Sequence, residues 1–254
     1  MGSLGPLGRI AWRLAPRRSP PQHRLAHPGT VIGVYRNPHR ARVEAMLAEC
    51  DAEGWGRSLW QLDADGEPLE GTLGNGPGTR TTLLNKLATS AAPGPLLVVD
   101  DDVDFVESLS SLLAVVAALD LDLAQPAMTW DSQFSHPITA CRPWLIARET
   151  TFVEVGPVLY VSERARDVVF PMDESYGMGW GLELLWHDAI VDGRLRAGII
   201  DAAPVRHLGQ VGGGYAKDRE IALLQARLQA RGLRSMRDIQ STTKRVWRRP
   251  ASTP

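Results

Sequence analysis

Cysteines and long apolar runs are both scarce in this sequence of 254 residues. The two cysteines, Cys50 and Cys141, cannot build a disulfide framework or a zinc cluster, and two lone thiols are compatible with a reducing cytosol. A membrane-spanning helix needs roughly 20 consecutive apolar residues, and no stretch approaches that length. The N-terminal segment also lacks the long apolar region of a secretory signal. These absences predict a cytoplasmic protein.

Lysine is scarce too, since only Lys86, Lys217 and Lys244 occur, and the net charge is −1. A balanced charge gives no general signature of polyanion binding, so we expect no nucleic-acid partner. The charge is nevertheless uneven, because eight arginines precede the first acidic residue, Glu44. We interpret residues 1–28 as a disordered Arg/Pro-rich leader. The alternatives are weak peripheral contact with an anionic membrane, or a transit peptide.

Strand-like and helical patterns alternate through the first half of the chain. Strands are predicted over 30–38, 57–64, 94–100 and 121–128, and helices over 39–54, 81–89 and 105–119. The run GPLLVVD at 94–100 is continuous in Leu and Val, which is typical of a central parallel strand. Residues 65–80 are rich in glycine and are predicted to be a loop, while Val106 should face inward from the third helix. The alternation predicts an α/β protein with a central sheet flanked by helices.

The second half is more mixed. Its predicted pieces are strand-like segments within 150–165, a glycine-rich loop and helix over 177–193, a strand and glycine-rich loop over 196–215, and an amphipathic helix from Asp218 to about Arg231. We therefore divide the chain into the leader 1–28, one domain over 29–217, and a C-terminal helix with a disordered tail over 218–254.

Four aspartates follow the third predicted strand in the segment LLVVDDDVDF. Ligands in open α/β sheets bind beyond the carboxyl ends of the strands, which is where this cluster lies. Asp100 and Asp102 are close enough to share one divalent ion, and Mg²⁺ or Mn²⁺ prefers such oxygen ligands. A solvated turn in which one aspartate caps the next helix is the structural alternative. Capping accounts for one aspartate and leaves the others without a role.

Two phosphotransfer families share parts of this pattern. The segment resembles the opening of a response-regulator receiver domain, but that family has its acidic pair on the first strand and a later acceptor aspartate. Here at least two strands precede the cluster, and WLIARETTF, where the acceptor would fall, has no aspartate. The cluster also resembles the Asp-x-Asp of haloacid-dehalogenase-like phosphohydrolases, with Asp100 as nucleophile. That family's later lysine and second aspartate pair have no counterpart at a suitable place.

Further motifs follow in a consistent order. Asp100 and Asp102 form an Asp-x-Asp after a strand in mid-chain, QPA and SHPIT follow, GMGWGLELLWHD carries Trp180 and Glu183, and VRHLGQVGGG carries His207. In this order they resemble the GT-A glycosyltransferases, and a plant and bacterial family of unknown function with similar motifs. The resemblance covers about residues 30–215.

The resemblance implies a GT-A-like single domain with a mixed sheet and a metal-dependent transfer of sugar from a nucleotide-diphosphate donor. It implies Mn²⁺ or Mg²⁺ held by Asp100, Asp102 and His207. It places Glu183 as general base or acceptor-positioning group, with Asp173 or Asp188 as alternative bases. Candidate donor contacts are Tyr35, Arg36, Arg80, Lys86, Asp101 and Trp180.

Several points stay open at this stage. The donor would be a UDP- or GDP-sugar, and the acceptor a glycan, a lipid carrier or a small molecule. Gly212–Gly214 would lie against the diphosphate or form a mobile lid. A non-catalytic binding protein on the same fold is a further alternative.

Overall fold

The computed structural model describes residues 25–209 and 217–247. Ten strands form one mixed sheet. They are β1 (Thr30–Tyr35), β2 (Gly56–Gln61), β3 (Thr72–Asn75), β4 (Leu96–Asp100), β5 (Val103–Phe105), β6 (Leu123–Met128), β7 (Leu145–Thr150), β8 (Val158–Val161), β9 (Ala197–His207) and β10 (Thr242–Trp247).

Helices cover both faces of this sheet. They are α1 (Arg40–Ala52), α2 (Arg80–Ser90), α3 (Leu109–Leu119), the single turn α4 (Arg166–Val169), α5 (Glu183–Val191) and α6 (Lys217–Ala230). Short 3-10 turns lie at Asn37–His39, Pro137–Thr139, Glu163–Ala165, Glu174–Tyr176 and Met236–Ile239.

The sheet order is β10-β7-β9-β6-β8-β4-β1-β2-β3, with β5 paired to β9. Strands β1, β2, β3 and β4 run parallel, as do β6 and β9. Strand β8 lies between β4 and β6 and is antiparallel to both. The carboxyl ends of β1, β4, β6 and β9 therefore meet at one edge of the sheet together with the beginning of β8. This edge positions the candidate site.

Two apolar layers sandwich the central strands because their side chains alternate between faces. In β4, Leu97 and Val99 pack in the layer that contains α1 and α3, whereas Leu96 and Val98 pack in the layer that contains α2 and α5. All four side chains are buried. Continuous Leu and Val in this strand therefore reflects burial on both sides, and the prediction of a central strand is confirmed. Its neighbours are mixed, since β1 is parallel and β8 antiparallel.

The segment 105–119 differs from its predicted helix. Val103–Phe105 forms β5, and the helix begins only at Leu109, where the Ser108 hydroxyl accepts a hydrogen bond from Ser111 N. Val106, predicted to face inward, lies before the helix and is 38% exposed. The helical period continued too far toward the N-terminus because the apolar residues of a short strand happened to match it.

Three other segments also contain unpredicted strands, and one of these strands is β7, which pairs antiparallel with β9. Residues 65–80 were expected to be a loop, but Thr72–Asn75 pairs in parallel with β2 at the edge of the sheet. In the expected disordered tail, Thr242–Trp247 forms β10 and pairs antiparallel with β7. The predicted amphipathic helix is present as α6. The leader up to residue 24, Gly212–Gly214 and residues 248–254 lie outside the described residues.

No helix in the described ranges combines the length and the apolar character that a membrane crossing requires.

One buried ion pair joins the antiparallel strands β7 and β9. Arg148 Nε donates to Asp201 Oδ2 at 2.9 Å and Arg148 Nη2 donates to Asp201 Oδ1 at 3.0 Å. The guanidinium also donates to the carbonyl oxygens of Ile138 and Ala140, and Asp201 accepts from Arg142 N. Both side chains are almost fully buried, so each depends on the other for charge compensation.

Replacing one member should therefore be costly. We expect Asp201→Ala to lower the free energy of unfolding by about 3–5 kcal/mol, since it leaves a buried guanidinium unpaired. Urea denaturation at pH 7 measures this change. Asp192→Ala is the control, because Asp192 is exposed and lies 3.5 Å from Arg194 in a surface pair. Equal unfolding midpoints for the two variants would contradict the structural role of the pair.

Candidate functional site

A cleft of about 830 Å³ opens at the sheet edge where the strand ends meet. Its lining includes most of the residues singled out from the sequence, namely Arg36, Arg80, Asp100, Asp101, Asp102, Trp180, Glu183 and His207. Residues from five strand ends or beginnings and from the N-terminal ends of α2 and α5 contribute to it. The fold thus brings together motifs that are up to 171 positions apart in the sequence, from Arg36 to His207.

Asp100 ends β4 and pairs with Arg80, the first residue of α2. Arg80 Nε and Nη2 donate to Asp100 Oδ1 at 2.9 and 2.8 Å, and Nη2 also lies 3.2 Å from Val155 O. Arg80 Nη1 is buried and has no hydrogen-bond partner within the described residues. Thr79 caps the helix through its side chain, which fixes the point from which Arg80 projects.

Asp101 is held by the chain that leaves β1. Its carboxylate accepts from Arg36 N and Nε at 2.9 Å each and from Arg36 Nη2 at 2.7 Å, and His39 Nδ1 lies 3.2 Å away. These contacts use both oxygens of a buried carboxylate. The hydrogen bonds that Arg36 donates to Asp101 raise the pKa of Arg36, and burial lowers it by less. Arg36 is therefore a fixed positive charge on the cleft wall.

Asp102 faces His207 at the end of β9, with 3.4 Å between Asp102 Oδ1 and His207 Nε2. His207 Nδ1 lies 2.8 Å from Gln133 O, and because a carbonyl only accepts, Nδ1 carries a proton. Burial alone would lower the pKa of His207, but Asp102 raises it to about 9. The backbone passes very close here, since a Cβ on Gly209 would lie 1.9 Å from Asp102 Oδ2. Only glycine fits at that point unless Asp102 moves.

Asp104, the last aspartate of the cluster, lies outside the cleft. Arg42 Nε of α1 donates to Asp104 Oδ1 at 2.6 Å, and Asp104 is not among the residues that line the cleft. It does not cap the following helix, because Ser108 does so. The structural alternative from the sequence, in which an aspartate is the cap, is therefore wrong.

The cleft can be tested for its fit to a divalent cation. Among residues 25–209 and 217–247, no three His, Cys, Asp or Glu side chains are already placed to hold one ion. The ligand chemistry nevertheless fits at Asp102 and His207, where a carboxylate faces the imidazole Nε2, and a cation there would replace the proton that this nitrogen carries toward Asp102. Asp100 contributes a second carboxylate, and so a third candidate ligand, and is engaged by Arg80.

The Gly-Trp-Gly segment forms a tight loop before α5. Gly177, Gly179 and Gly181 all have positive φ, between 50° and 100°, which side chains disfavour. Thr81 of α2 donates to Gly177 O through both its backbone N and its hydroxyl, at 3.0 Å each. The repeated glycines therefore serve a backbone path that places Trp180 in the cleft lining.

Glu183 begins α5 and is almost fully buried. Its Oε1 accepts from Val155 N at 3.3 Å and its Oε2 accepts from Gly181 N at 3.1 Å. Burial raises the pKa of Glu183 to about 7 despite these backbone hydrogen bonds. Both oxygens are thus committed to joining two loops of the cleft.

Four predicted site residues lie outside the lining that the described residues define. Tyr35 is buried, and its hydroxyl contacts Gln61, Thr72 and Leu69 N, which commits it to the core. Lys86 lies over the Trp60 ring at 4.0 Å. Asp173 caps the turn Glu174–Tyr176, and Asp188 pairs with Arg231 on the surface.

Sequence reasoning assigned no role to two other cleft residues, Glu154 and His136. Burial and the neighbouring Glu183 raise the pKa of Glu154 to about 8. Burial, with the charge of Arg237, lowers the pKa of His136 to about 4. The sequence feature that could have identified Glu154 is its position as the single acid in the apolar segment TTFVEVGPV. An acid in such a run is either solvated at a strand end or buried for a purpose.

No protein-family model matches the chain, and no curated protein matches its sequence. Solved structures do resemble it. One is the crystal structure of GalNAc-T7 with UDP, GalNAc and Mn²⁺, which superposes with a TM-score of 0.51 at 10% sequence identity. The match covers 82% of this chain and 50% of that one, so the chain spans about half the length of the similar structure.

At this identity the likeness concerns the fold. The chain has a GT-A-like α/β fold, with a mixed central sheet flanked by helices.

Proposed function

We propose that this chain is a metal-dependent glycosyltransferase that moves a sugar from a nucleoside-diphosphate donor to a hydroxyl group of an acceptor. The observation that carries the proposal is the convergence of Asp100, Asp102, His207 and Glu183 on one cleft of a GT-A-like fold. The similar structure of GalNAc-T7 contains UDP, GalNAc and Mn²⁺, which supports a nucleotide-sugar donor and a divalent cation for this cleft.

Asp102 and His207 are the side chains that would hold Mn²⁺ or Mg²⁺, with Asp100 as third ligand. Such an ion would supply positive charge that stabilises the departing nucleoside diphosphate. The orientation of the His207 ring supports this role, because the Nδ1 hydrogen bond to Gln133 O directs Nε2 at Asp102. Asp100 would have to exchange its contact with Arg80 for the ion.

Arg36, Arg80 and Trp180 would bind the donor. Arg36 projects into the cleft while Asp101 fixes its guanidinium, which suits contact with the ribose or the base. Arg80 has a buried Nη1 without a hydrogen-bond partner in the described residues, so it can donate to a phosphate or ribose oxygen. Trp180 would offer an aromatic face to the sugar. Tyr35 and Lys86 are left out because their polar groups are used elsewhere.

Glu183 is assigned a positioning role. Each of its oxygens accepts a backbone N–H, one from the loop before β8 and one from the loop before α5. A carboxylate that joins two loops in this way orients the acceptor side of the cleft without moving. Asp173 and Asp188 lie outside the cleft and are not proposed as bases.

The phosphotransfer alternatives gain no support from the sheet. Receiver domains have a doubly wound parallel sheet, in which the strand that carries the aspartates has parallel neighbours. Here β4 has the antiparallel strand β8 on one side. Asp100 also has its charge compensated by Arg80 rather than being exposed for attack on a phosphate.

A screen of donors tests the class of activity directly. We expect one UDP- or GDP-sugar to raise the melting temperature only when Mn²⁺ is present. At a concentration 100 times its Kd the rise should be roughly 5–10 °C for a chain of this size. Stabilisation by acyl-phosphate mimics alone would favour phosphotransfer. The absence of any metal-dependent nucleotide effect would favour a non-catalytic binding protein.

The cation site is tested by Asp102→Ala. We expect its Kd for UDP in the presence of Mn²⁺, measured by calorimetry, to rise at least about 100-fold. Loss of a direct ligand should cost at least as much as the 10–100-fold typical of outer-shell partners. Asp192→Ala is the matched control, because its carboxylate is exposed. Unchanged Mn²⁺-dependent binding of UDP and GDP by Asp102→Ala would contradict the site.

A further inference from the structure

Besides the less buried Glu220 of α6, Glu154 is the carboxyl group of the cleft that has a buried oxygen atom without a hydrogen-bond partner among the described residues. The residue is 8% exposed and lines the cleft just before β8. Its Oε2 atom is buried and has no partner in the described part of the chain. Oε1 lies 3.7 Å from His136 Nε2, which is too long for a direct hydrogen bond. An unpaired carboxyl in a low-dielectric cleft destabilises the folded protein.

Four other carboxyls of the cleft have partners in the protein. Asp100, Asp101 and Asp102 each face a basic side chain, and Glu183 accepts two backbone N–H groups. Glu154 has only its own backbone N fixed, through the side chain of Gln125. Its position is therefore set while its carboxyl group stays available for a ligand.

The neighbouring His136 is held as a hydrogen-bond donor. Gln240 Nε2 lies 2.8 Å from His136 Nδ1, and because an amide NH₂ only donates, Nδ1 accepts. The proton of the neutral ring is then on Nε2, the atom that faces Glu154. The Phe152 ring packs edge-on against the imidazole with 4.8 Å between centroids and fixes its plane.

A hydroxyl group matches this pair, because it accepts one hydrogen bond and donates another. An oxygen placed beside both groups can accept from His136 Nε2 and donate to Glu154 Oε1. Phe134, two positions before His136, and Met236 also line the cleft and offer apolar surface. Alternating hydroxyl groups and apolar C–H faces are the chemistry of a sugar or related polyol.

We propose that Glu154 and His136 form the acceptor subsite of the cleft, and that Glu154 receives the proton of the attacking sugar or polyol hydroxyl. This inference rests on the proposed glycosyltransferase function. In the step, the acceptor oxygen forms a bond to the anomeric carbon of the donor as the bond from that carbon to the phosphate oxygen breaks. The electron pair leaves with the nucleoside diphosphate, and the hydroxyl proton passes to the Glu154 carboxylate.

The pH dependence of such a step follows from the groups around Glu154. Burial and the charge of Glu183 from α5 raise its pKa, while the Gln125 side chain of β6 and the charge of His207 from β9 lower it. His136 stays neutral at pH 7 because burial lowers its pKa to about 4. The carboxylate form of Glu154 is the base, so the rate should rise with pH and level off above about pH 8.

The experiment compares Glu154→Gln and Glu183→Gln with Glu163→Gln, an exposed glutamate at the opposite edge of the sheet. Three quantities are measured on the full chain. The first is the Kd for UDP in the presence of Mn²⁺. The second is the rate at which free sugar is released to water from the donor that the screen selects. The third is the melting temperature between pH 4.5 and 9.

For Glu154→Gln we expect a Kd for UDP within threefold of the parent protein and a loss of sugar release of at least about 100-fold. The rise of the rate toward pH 8 should disappear as well. Glu183→Gln should keep that rise, because Glu154 still titrates, but the rise should move to lower pH without the charge of Glu183. The variant should also raise the KM for the donor, because the two loops that Glu183 joins are loosened. Glu163→Gln should behave like the parent protein.

Stability gives a readout that needs no substrate. The pKa of Glu154 is about 8 in the folded chain against an ordinary 4.5, so the folded state keeps a proton that the unfolded state has lost between these values. The contribution of Glu154 to stability is therefore present below pH 4.5 and is lost as the pH rises through 8. Glu154→Gln does not titrate and should melt at a higher temperature than the parent protein at pH 8, with the gap closing toward pH 4.5.

The outcomes separate this inference from the proposed function. Absence of Mn²⁺-dependent UDP binding in the parent protein would overturn both. Intact UDP binding with sugar release by Glu154→Gln within tenfold of the parent would overturn the acceptor subsite alone. A lower melting temperature for Glu154→Gln at pH 8 would show that the carboxyl is a structural group, and a parent protein that binds the donor without releasing sugar would also count against the subsite.

Discussion

Charge compensation at the end of β4 is the constraint on which the rest of the site depends. Four carboxylates within five positions would repel one another strongly if they shared the edge of a sheet without counter-charges. Each faces a different basic side chain, and each of these comes from a different element. The pairs are Asp100 with Arg80, Asp101 with Arg36, Asp102 with His207 and Asp104 with Arg42. The cluster thereby ties α1, α2, the end of β1 and the end of β9 to one point.

Because the sheet is mixed, other chain segments also lie at the end of β4. A purely parallel sheet would bring only the carboxyl ends of strands to this edge. Because β8 runs against β4 and β6, the segment that precedes β8 also lies there. That segment carries Glu154, the Val155 backbone groups that contact Arg80 and Glu183, and Pro157, whose carbonyl accepts from Asp100 N. One reversed strand thus supplies one side of a cleft whose other side is built from parallel strands.

The sequence predicted the place of the site better than the contacts within it. The aspartates, Trp180, Glu183 and His207 were found because short motifs stood at ends of predicted strands and helices, and the fold brings them together. Tyr35 and Arg36 show the limit of that reasoning. They are adjacent, yet the last strand residue turns into the core while the next residue, at the start of the exit loop, enters the cleft. A local pattern does not give the residue at which a strand ends.

The sequence also could not predict which residues, distant along the chain, contact each other. Lys86 lies over Trp60 of β2, and Asp188 pairs with Arg231 beyond α6, so neither charge is available to the cleft. Strands β3 and β10 were missed for a related reason. Both are sheet-edge strands of partly polar composition, whose pairing depends on a neighbour far along the chain.

Glu154 and Glu183 also bear on what the cleft binds. Burial raises the pKa of both carboxyls, and the charge of Glu183 raises the pKa of Glu154 further. For folding alone, an amide or an apolar side chain in place of Glu154 would remove the penalty of burying this carboxyl. The Oε2 atom of Glu154 has no hydrogen bond among the described residues that such a change would break. Departures from folding rules that coincide with a cleft are expected where a ligand supplies the missing partner. On the proposed function, the acid that precedes β8 and the paired acids at the end of β4 would form two halves of one site, one for a hydroxyl group and the other for a cation and a nucleotide.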